Sequence, residues 1–289
     1  MLLLVKVNQY NDVSYLDNAN GYILANRNFS YRFEHSFTLN EIQKINSFCK
    51  KTNKKIFLLV NRIFKDKDLA DLENYLLKTF KYNIDGYLFA DFAVFMILKK
   101  YHKEDKAVFY HETFLRNSYD IKTYQKYGIN KIICSKDMHI DDIKDLDENK
   151  KDSYGILAFG YYPIYESSRK LVTNFTKTNN LDSNLKDSLN LTIKEQTRNE
   201  KYRIIEQAGI SSIFASNAIC LIEYTKQLLN NLDMFIIDSL FFDKEYIKKV
   251  LDLFYKSQNE TITIEDIISL NNNASFDQAY LNKRVGLVK

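Results

Sequence analysis

The polar residues that close the apolar runs of this sequence are its candidates for chemistry. They include two carboxylates, Glu112 and Asp238, and two carboxamides, Asn61 and Asn117. A carboxylate can transfer a proton or balance a cation, and a carboxamide can bind a polar substrate through hydrogen bonds. His111 adjoins Glu112, but adjacent residues of a strand point to opposite faces, so only one of them can face a shared site. We favour Glu112 as the catalytic residue of this pair.

Some of these polar residues also have a structural interpretation. Glu112 could lie at a helix N-terminus or be held by a cation such as Arg62, and Asp91 opens a predicted helix as its N-cap. Three histidines lie in polar or helical contexts without the character of a metal site and are expected at the surface: His35, His102 and His139. No metal ligands are therefore predicted.

The cysteines are few and far apart in the chain, at Cys49, Cys134 and Cys220. Because no two of them form a C-x-x-C pair, neither a disulfide framework nor a local zinc or cluster motif is predicted, and buried, reduced thiols are expected. The sequence also has no G-x-S-x-G, P-loop, H-E-x-x-H or G-x-G-x-x-G motif. The sequence therefore contains no motif that would indicate a serine hydrolase, a P-loop nucleotide-binding protein or a zincin peptidase.

Short apolar runs separated by amphipathic segments must position these residues. Continuous apolar runs that alternate with helices are typical of buried parallel strands. Eight such units predict an α/β protein with a closed TIM-type (β/α)8 barrel, in which chemistry lies at the carboxyl ends of the strands. The predicted strands are Leu2–Val7, Gly21–Ala25, Lys55–Val60, Gly86–Ala90, Ala107–His111, Lys131–Cys134, Tyr154–Phe159 and Met234–Asp238. The predicted helices are Asn40–Lys51, Asp66–Phe80, Phe92–Lys100, Asp120–Tyr127, Asp141–Asp147 and Asp243–Tyr255.

One gap between predicted strands, from Phe159 to Met234, is much longer than the others. It predicts a small β-rich insertion at the barrel mouth after strand seven, over residues 160–216. We expect the barrel, with this insertion, to cover residues 1–258 and a C-terminal tail to cover residues 259–289. Within and after the insertion we expect a mobile loop at Thr176–Ser188, strands at Tyr202–Glu206 and Ser212–Ala215, and a helix at Asn217–Leu229; the tail should hold a helix at Ile264–Leu270.

The composition bounds the class of protein. The chain has 289 residues, 45% of them hydrophobic, and a net charge of +4, so it has ample material for a core and a mild basic excess that permits contact with RNA. No apolar run reaches the roughly 18 residues of a membrane helix, so we expect a cytoplasmic protein without a membrane partner. Glycine and proline are scarce, at seven and one residues. Gly160 and Pro163 are therefore predicted to be backbone requirements at the barrel mouth.

One stretch carries a family resemblance. Residues 159–175 read FGYYPIYESSRKLVTNF, which resembles the signature of the collagenase-like peptidase family U32. The similarity extends from about Gly21 to Tyr255 and includes Leu59–Asn61, Glu112 with Asn117, Glu195–Arg198 and Ile237–Ser239. Many members hold an iron–sulfur cluster with four cysteines, whereas the signature stretch here has none. The match is to the short, cysteine-poor type of the family.

This type resembles the first subunit of a pair that hydroxylates tRNA in Gram-positive bacteria. The resemblance implies prephenate-dependent 5-hydroxylation of the wobble uridine, no cofactor in this chain, and a cysteine-bearing paralogous partner for any iron–sulfur cluster. Further implied partners are tRNA and a small carboxylate metabolite. Arg169 and Lys170 would bind phosphate or carboxylate. The assigned roles are catalysis for Glu112 and Asp238, and substrate binding for Asn61, Asn117, Tyr165, Arg169 and Lys170.

Three alternatives stay open at this point. The protein could be a collagenase-like peptidase, as the family name says, although strand-end Ser135 has no identified His partner. It could also be a non-catalytic scaffold for a cluster-bearing paralogue. Arg169 could instead form a salt bridge that fixes the insertion. Each alternative makes a different prediction for the residues around the barrel mouth.

Overall fold

The computed structural model describes residues 1–111, 115–146, 152–197, 199–270 and 273–282. Its strands are β1 (Leu2–Lys6), β2 (Gly21–Ala25), β3 (Lys55–Val60), β4 (Gly86–Phe89), β5 (Ala107–Tyr110), β6 (Lys131–Cys134), β7 (Ser153–Gly160), β8 (Pro163–Ser167), β9 (Thr192–Lys194), β10 (Lys201–Gln207), β11 (Ile210–Phe214), β12 (Ala218–Cys220), β13 (Met234–Ile237) and β14 (Phe276–Asp277). Its α-helices are α1 (Asp12–Tyr15), α2 (Leu39–Lys51), α3 (Leu69–Phe80), α4 (Phe92–Lys100), α5 (Ser118–Lys126), α6 (Ile140–Lys144), α7 (Leu171–Thr178), α8 (Thr225–Leu228), α9 (Lys244–Ser257) and α10 (Ile264–Ile268).

A closed parallel barrel forms the centre of the molecule. Strands β1 to β7 pair in chain order, and β13 pairs in parallel with both β7 and β1. In this register Met234 lies opposite Gly155 on one side and Leu2 on the other. The strands are apolar and buried almost throughout, as expected where helices cover the outside and side chains fill the inside. The prediction of a (β/α)8 barrel is confirmed, and each predicted strand lies within one residue of an observed one.

The outer helices begin where local capping and helical periodicity predict them. Helix α2 starts with a capping box, in which the Thr38 side chain and Glu41 bond to each other's backbone amides. Its buried residues Ile42, Ile45 and Cys49 share one face. Helix α4 starts at Asp91, whose Oδ1 accepts a hydrogen bond of 2.8 Å from the amide of Ala93. The N-cap interpretation of Asp91 is therefore correct.

An antiparallel sheet follows β7 and covers the mouth of the barrel. Its strand order is β8-β11-β10-β9, and α7 lies in the same region. The two strands predicted here correspond to β10 and β11, but β8, β9 and α7 were not predicted. The segment predicted as a mobile loop contains the end of α7 and a 3-10 helix at Ser183–Asp187. We call residues 163–214 the inserted sheet from here on.

The predicted helix at Asn217–Leu229 is wrong. The segment forms strand β12, a 3-10 turn at Ile222–Tyr224 and the short helix α8. Strand β12 pairs with the end of β7 and with β14, so tertiary pairing overrides the helical pattern of this apolar run. Residues of the C-terminal segment also pack onto the barrel, because Ile267 and Leu281 are buried in its core. Within the described residues, no helix has both the length and the apolar character needed to cross a membrane.

Candidate site at the barrel mouth

A small cavity lies at the carboxyl ends of the barrel strands, beneath the inserted sheet. Its volume is about 20 Å³, which is room for about one water molecule. Three of its lining residues carry charge, and the others are apolar, aromatic or amide side chains. The lining consists of Lys6, Ile23, Arg32, Leu59, Asn61, Leu88, Tyr110, Leu157, Tyr161, Pro163, Phe214, Ile236 and Asp238. The mouth therefore has little free space among these side chains.

A buried ion pair spans one side of the mouth. The Nζ of Lys6, at the end of β1, lies 2.5 Å from both carboxylate oxygens of Asp238, which follows β13. Their side chains are only 6% and 17% exposed. Asp238 also accepts a hydrogen bond from the amide of Leu240. Asp238 thus lies in the mouth as predicted from its strand end, but its cationic partner Lys6 was missed, because a lysine that closes a strand resembles any exposed lysine in the sequence.

Gly160 brings the start of the inserted sheet against this pair. Its φ is +129°, and a Cβ placed there would lie 2.7 Å from the Cβ of Asp238 and 2.8 Å from its carbonyl oxygen. Few residues other than glycine adopt such a backbone, and none with a side chain fits this gap. Pro163 follows at the first position of β8 and lines the cavity. The backbone requirement predicted for Gly160 is supported by this geometry.

Arg32 contributes a second cation from the loop after β2. The residue is 6% exposed, and its guanidinium lies 4.8 Å from the ring centre of Tyr31. Its Nε lies 3.4 Å from Oε1 of Glu166, on strand β8 of the inserted sheet. The hydroxyl of Tyr31 donates a hydrogen bond of 3.0 Å to the other oxygen of Glu166. Arg32 was also missed, since it lies seven residues beyond its strand and nothing in the local sequence directs it to the mouth.

Asn61 lines the cavity, but its side chain is used in holding this loop. Its Oδ1 accepts a hydrogen bond of 3.1 Å from the amide of Tyr31, and its Nδ2 donates one of 3.3 Å to the carbonyl oxygen of the same residue. The side chain is almost fully buried, at 1% exposure for the residue. Asn61 therefore positions Tyr31, the neighbour of Arg32.

The structure does not bring all the predicted site residues to the mouth. Asn117 caps α5, where its Oδ1 accepts hydrogen bonds from the amides of Tyr119 and Asp120, and it is not among the described residues that line the cavity. Glu112 lies outside the described residues. The preceding strand β5 does reach the site, because Tyr110 at its end lines the cavity.

Three further predicted residues lie on the outside of the inserted sheet. Tyr165, on β8, is 46% exposed, and Arg169 and Lys170 are exposed in the turn before α7. The backbone of Arg169 is held, because its carbonyl oxygen accepts a hydrogen bond of 2.8 Å from the hydroxyl of Ser211. Neither cation forms an ion pair with any carboxylate in the part of the chain that the structure describes. The salt bridge considered for Arg169 therefore has no partner among those residues.

The cysteines do not fit an iron–sulfur cluster. Cys49, Cys134 and Cys220 lie on α2, β6 and β12, and all three are buried. Burial raises the pKa of each thiol to about 12, so they stay protonated at neutral pH. Three protonated thiols on separate elements cannot replace the four thiolates of such a cluster. Across the described ranges, no group of three or more His, Cys, Asp or Glu side chains could hold a metal ion.

Comparisons with known proteins agree with the barrel. A model of a protein family described as "Peptidase family U32" matches residues 15–283. A curated relative, the tRNA hydroxylation protein P2 of Bacillus subtilis (strain 168), is 23% identical over 241 residues, which cover 82% of this chain and 78% of the relative. A solved structure of a U32 peptidase aligns with a TM-score of 0.53 at 9% identity and covers 82% of this chain and 92% of its own. The structural similarity supports the barrel fold, and the match to the family model supports membership of that family.

Proposed function

The chain belongs to peptidase family U32, and on this basis we propose that it acts in tRNA hydroxylation, as a subunit for prephenate-dependent 5-hydroxylation of the wobble uridine. The observation that carries the proposal is the similarity to a tRNA hydroxylation protein over 82% of the chain. That relative is designated P2, whereas the sequence resemblance pointed to the first subunit of the pair. We therefore assign the pathway and leave the subunit number open.

The barrel mouth is the proposed reaction site. TIM-barrel enzymes carry their chemistry at the carboxyl ends of the strands, which is where Lys6, Arg32 and Asp238 lie. We propose Asp238 and Glu112 as the catalytic residues. Asp238 can orient or balance a cationic group through its carboxylate. Glu112 follows β5, the strand whose last residue reaches the cavity.

The outside of the inserted sheet is the proposed tRNA contact. Arg169 and Lys170 are exposed and carry charges that no described carboxylate balances, as phosphate-binding cations do. Tyr165 on the neighbouring strand exposes an aromatic ring on which a base can stack. Asn117 is exposed at the start of α5 and would add a polar contact. Asn61 would bind substrate only if the loop at Tyr31 moved.

The proposed partner is a cysteine-bearing paralogue. Because the buried thiols of this chain do not fit an iron–sulfur cluster, any cluster used in the reaction belongs to another subunit. Transfer RNA and a small carboxylate metabolite complete the proposed set of partners. A protein of this kind would work in the cytoplasm, where tRNA is modified.

Two other functions make different predictions. A peptidase needs an activated nucleophile, but the described cysteines are protonated and Ser135 is 2% exposed, with its Oγ accepting a hydrogen bond from the amide of Asp137. The geometry therefore disfavours peptidase activity at these residues. A non-catalytic scaffold is favoured by one observation, the cavity of about 20 Å³ at the mouth. The experiment below separates it from an active subunit.

The test is deletion of the gene followed by mass spectrometry of the tRNA nucleosides. We expect 5-hydroxyuridine-type modifications to fall and to return with the wild-type gene or with Asp142→Asn, an exposed control substitution. Asp238→Asn, expressed at a comparable soluble level, should fail to restore them. Unchanged modification after deletion would refute the function. Full restoration by Asp238→Asn would favour a scaffold, and gelatin cleavage by the purified protein would favour a peptidase.

A further inference from the structure

A second cavity lies between helix α3 and the loops that follow β2 and β3, and we call it the α3 cleft. Its volume is about 570 Å³, within the range of roughly 300–1,000 Å³ that is usual for small-molecule sites. It opens at the carboxyl ends of the barrel strands, where TIM barrels bind their ligands. The described residues that line it are all different from those that line the cavity at the mouth. The α3 cleft is therefore a separate place for a ligand.

The walls of the α3 cleft are held together by Arg62. Its amide donates a hydrogen bond of 3.3 Å to the carbonyl oxygen of Phe29, and its Nη1 donates one of 2.7 Å to the carbonyl oxygen of Asn28. Its Nη2 lies 3.1 Å from Oδ2 of Asp68, in the turn that leads into α3. These contacts join the loop after β2, the loop after β3 and the start of α3. The cleft is therefore preformed, as most ligand sites are.

Aromatic rings form one part of the lining. The ring of Phe29 stacks on that of Tyr75, with 4.1 Å between their centres and 15° between their planes. Tyr75 is 4% exposed, whereas Phe29 is only partly buried and lines the cleft. Phe64 also lines the cleft, with the guanidinium of Arg62 5.6 Å from its ring centre. A ring that is anchored on a buried ring offers a rigid platform on which a planar heterocycle can stack.

Polar side chains form the other part. Asp71, Asn74 and Lys78 follow one another on one face of α3, and Asn28 lies in the loop after β2. All four are exposed, and their side chains form no hydrogen bond or ion pair with another residue in the described ranges. A carboxamide presents a donor and an acceptor side by side, which is the pattern that pairs with the edge of adenine. A carboxylate accepts hydrogen bonds from ribose hydroxyls, and a lysine binds phosphate.

The charge of the lining indicates which part of a ligand matters most. Arg62 and Lys78 supply two positive charges, and Asp68 and Asp71 supply two negative ones. A site for a free polyanion would carry a net positive charge. A neutral lining with aromatic rings and carboxamides instead suits a ligand that is held mainly by its base and its sugar.

We propose that the α3 cleft binds one unpaired adenine nucleotide, with its base on Phe29, its base edge at Asn74 and its ribose at Asp71. A free nucleotide and one nucleotide of an RNA chain present this same chemistry. The inference goes beyond the proposed function and does not rest on it, because no residue of the mouth or of the inserted sheet takes part. The competing explanation is a surface groove that holds only solvent.

The test is calorimetric titration of the purified full-length protein with AMP, with ribose 5-phosphate as the control ligand that lacks the base. We expect AMP to bind at least about tenfold more tightly, because only AMP can stack. Phe29→Leu keeps an apolar side chain against Tyr75 but removes the ring, and it should weaken AMP binding about tenfold. Asn74→Ala should have a similar effect through the base edge. Asn174→Ala, exposed on α7, is the matched control and should bind like wild type.

Three results would overturn the proposal. They are the absence of measurable AMP binding, equal affinities for AMP and ribose 5-phosphate, and an AMP affinity that neither Phe29→Leu nor Asn74→Ala changes. If Phe29→Leu does not fold, the comparison of Asn74→Ala with Asn174→Ala decides the question.

A last titration, with the trinucleotide ApApA, identifies the source of the nucleotide. If ApApA binds at least about tenfold more tightly than AMP, the cleft takes a nucleotide of an RNA chain, because neighbouring nucleotides then add contacts. If it binds equally or more weakly, the cleft takes a free nucleotide. Both results retain the site. The titrations contain no tRNA, so their outcome is independent of the gene-deletion experiment.

Discussion

The barrel mouth and the outside of the inserted sheet hold their charges in opposite ways. At the mouth, Lys6 and Arg32 are 5% and 6% exposed, and each faces a carboxylate. On the outside of the inserted sheet, Arg169 and Lys170 are exposed and form no ion pair with a described residue. Charge removed from water must be paired, whereas exposed charge is stabilised by solvent. The mouth therefore keeps its cations shielded from water beside carboxylates, whereas the outer surface leaves its two cations open to solvent.

The largest expected effect comes from breaking the ion pair between Lys6 and Asp238 at the mouth. Lys6→Met leaves Asp238, whose side chain is 17% exposed, without an ion-pair partner among the described residues, and it removes the donor to the carbonyl oxygen of Arg32. We expect the free energy of unfolding, measured in urea, to fall by about 3–5 kcal/mol. Lys170→Met, on the outer surface, should change it by less than about 0.5 kcal/mol.

The double variant Lys6→Met/Asp238→Asn sharpens this result. Because it removes both charges, it should be less destabilised than the sum of the single variants, by about 1–3 kcal/mol. If Lys6→Met and Lys170→Met lowered the free energy of unfolding equally, the charges at the mouth would be as well solvated as those on the outer surface. That result would contradict the contrast between the two regions.

The second effect concerns the point where the inserted sheet meets the mouth. Gly160→Ala should lower the free energy of unfolding by about 3 kcal/mol, through backbone strain and the close approach to Asp238. Gly128 is the matched control, with φ of +94° and no atom within 4 Å of an added Cβ. Gly128→Ala should cost only about 1 kcal/mol, from strain alone. A similar loss of unfolding free energy in both variants would mean that the close approach to Asp238 does not contribute to the effect.

A third effect tests the outer surface. Arg169→Ala/Lys170→Ala should weaken tRNA binding about tenfold at low salt and reduce the slope of log affinity against log salt by about 1–2. The double variant Lys50→Ala/Lys51→Ala, exposed at the end of α2, is the control. Its binding curve and salt slope should match those of wild type. An unchanged salt slope in the first variant would remove the outer surface from the tRNA contact.

The smallest effect is a pH dependence beside the mouth. Asp12 is buried next to a cavity of about 240 Å³ that Lys6 also lines, and this burial raises the pKa of its carboxyl above the usual value. A raised folded-state pKa contributes stability that is present below the unfolded value and is lost as pH rises through the folded value. Asp12→Asn should therefore gain stability relative to wild type as pH rises across that window. Urea unfolding at a series of pH values measures it, and a difference independent of pH would contradict it.

The barrel strands were predictable because their signal is local. Runs such as Lys55–Val60 are apolar on both faces, which is what a strand covered inside and outside requires. The helix N-cap at Asp91 was predictable for the same reason. The run at Ala218–Cys220 was mispredicted, because its strand conformation depends on pairing with β7 and β14 from distant parts of the chain.

The candidate site was predictable only in part. Asp238 was placed correctly by its position at a strand end, and Asn61 was placed in the cavity lining without its hydrogen bonds to Tyr31. The partners of Arg32 could not be predicted, since Gln207 lies 175 residues away along the chain. The sequence analysis selected polar residues at the ends of the predicted strands. It therefore missed Arg32, which lies in the loop after β2.

By itself, the sequence determined the alternation of apolar strands and amphipathic helices, the barrel that follows from eight such units, and the family to which the chain belongs. Tertiary structure alone decided which charges meet at the mouth. Lys6, Arg32, Glu166 and Asp238 come together only after the barrel closes and the inserted sheet folds over it. Periodicity and capping depend on near neighbours, but the pairing of buried charges depends on which distant segments exclude water from the same space.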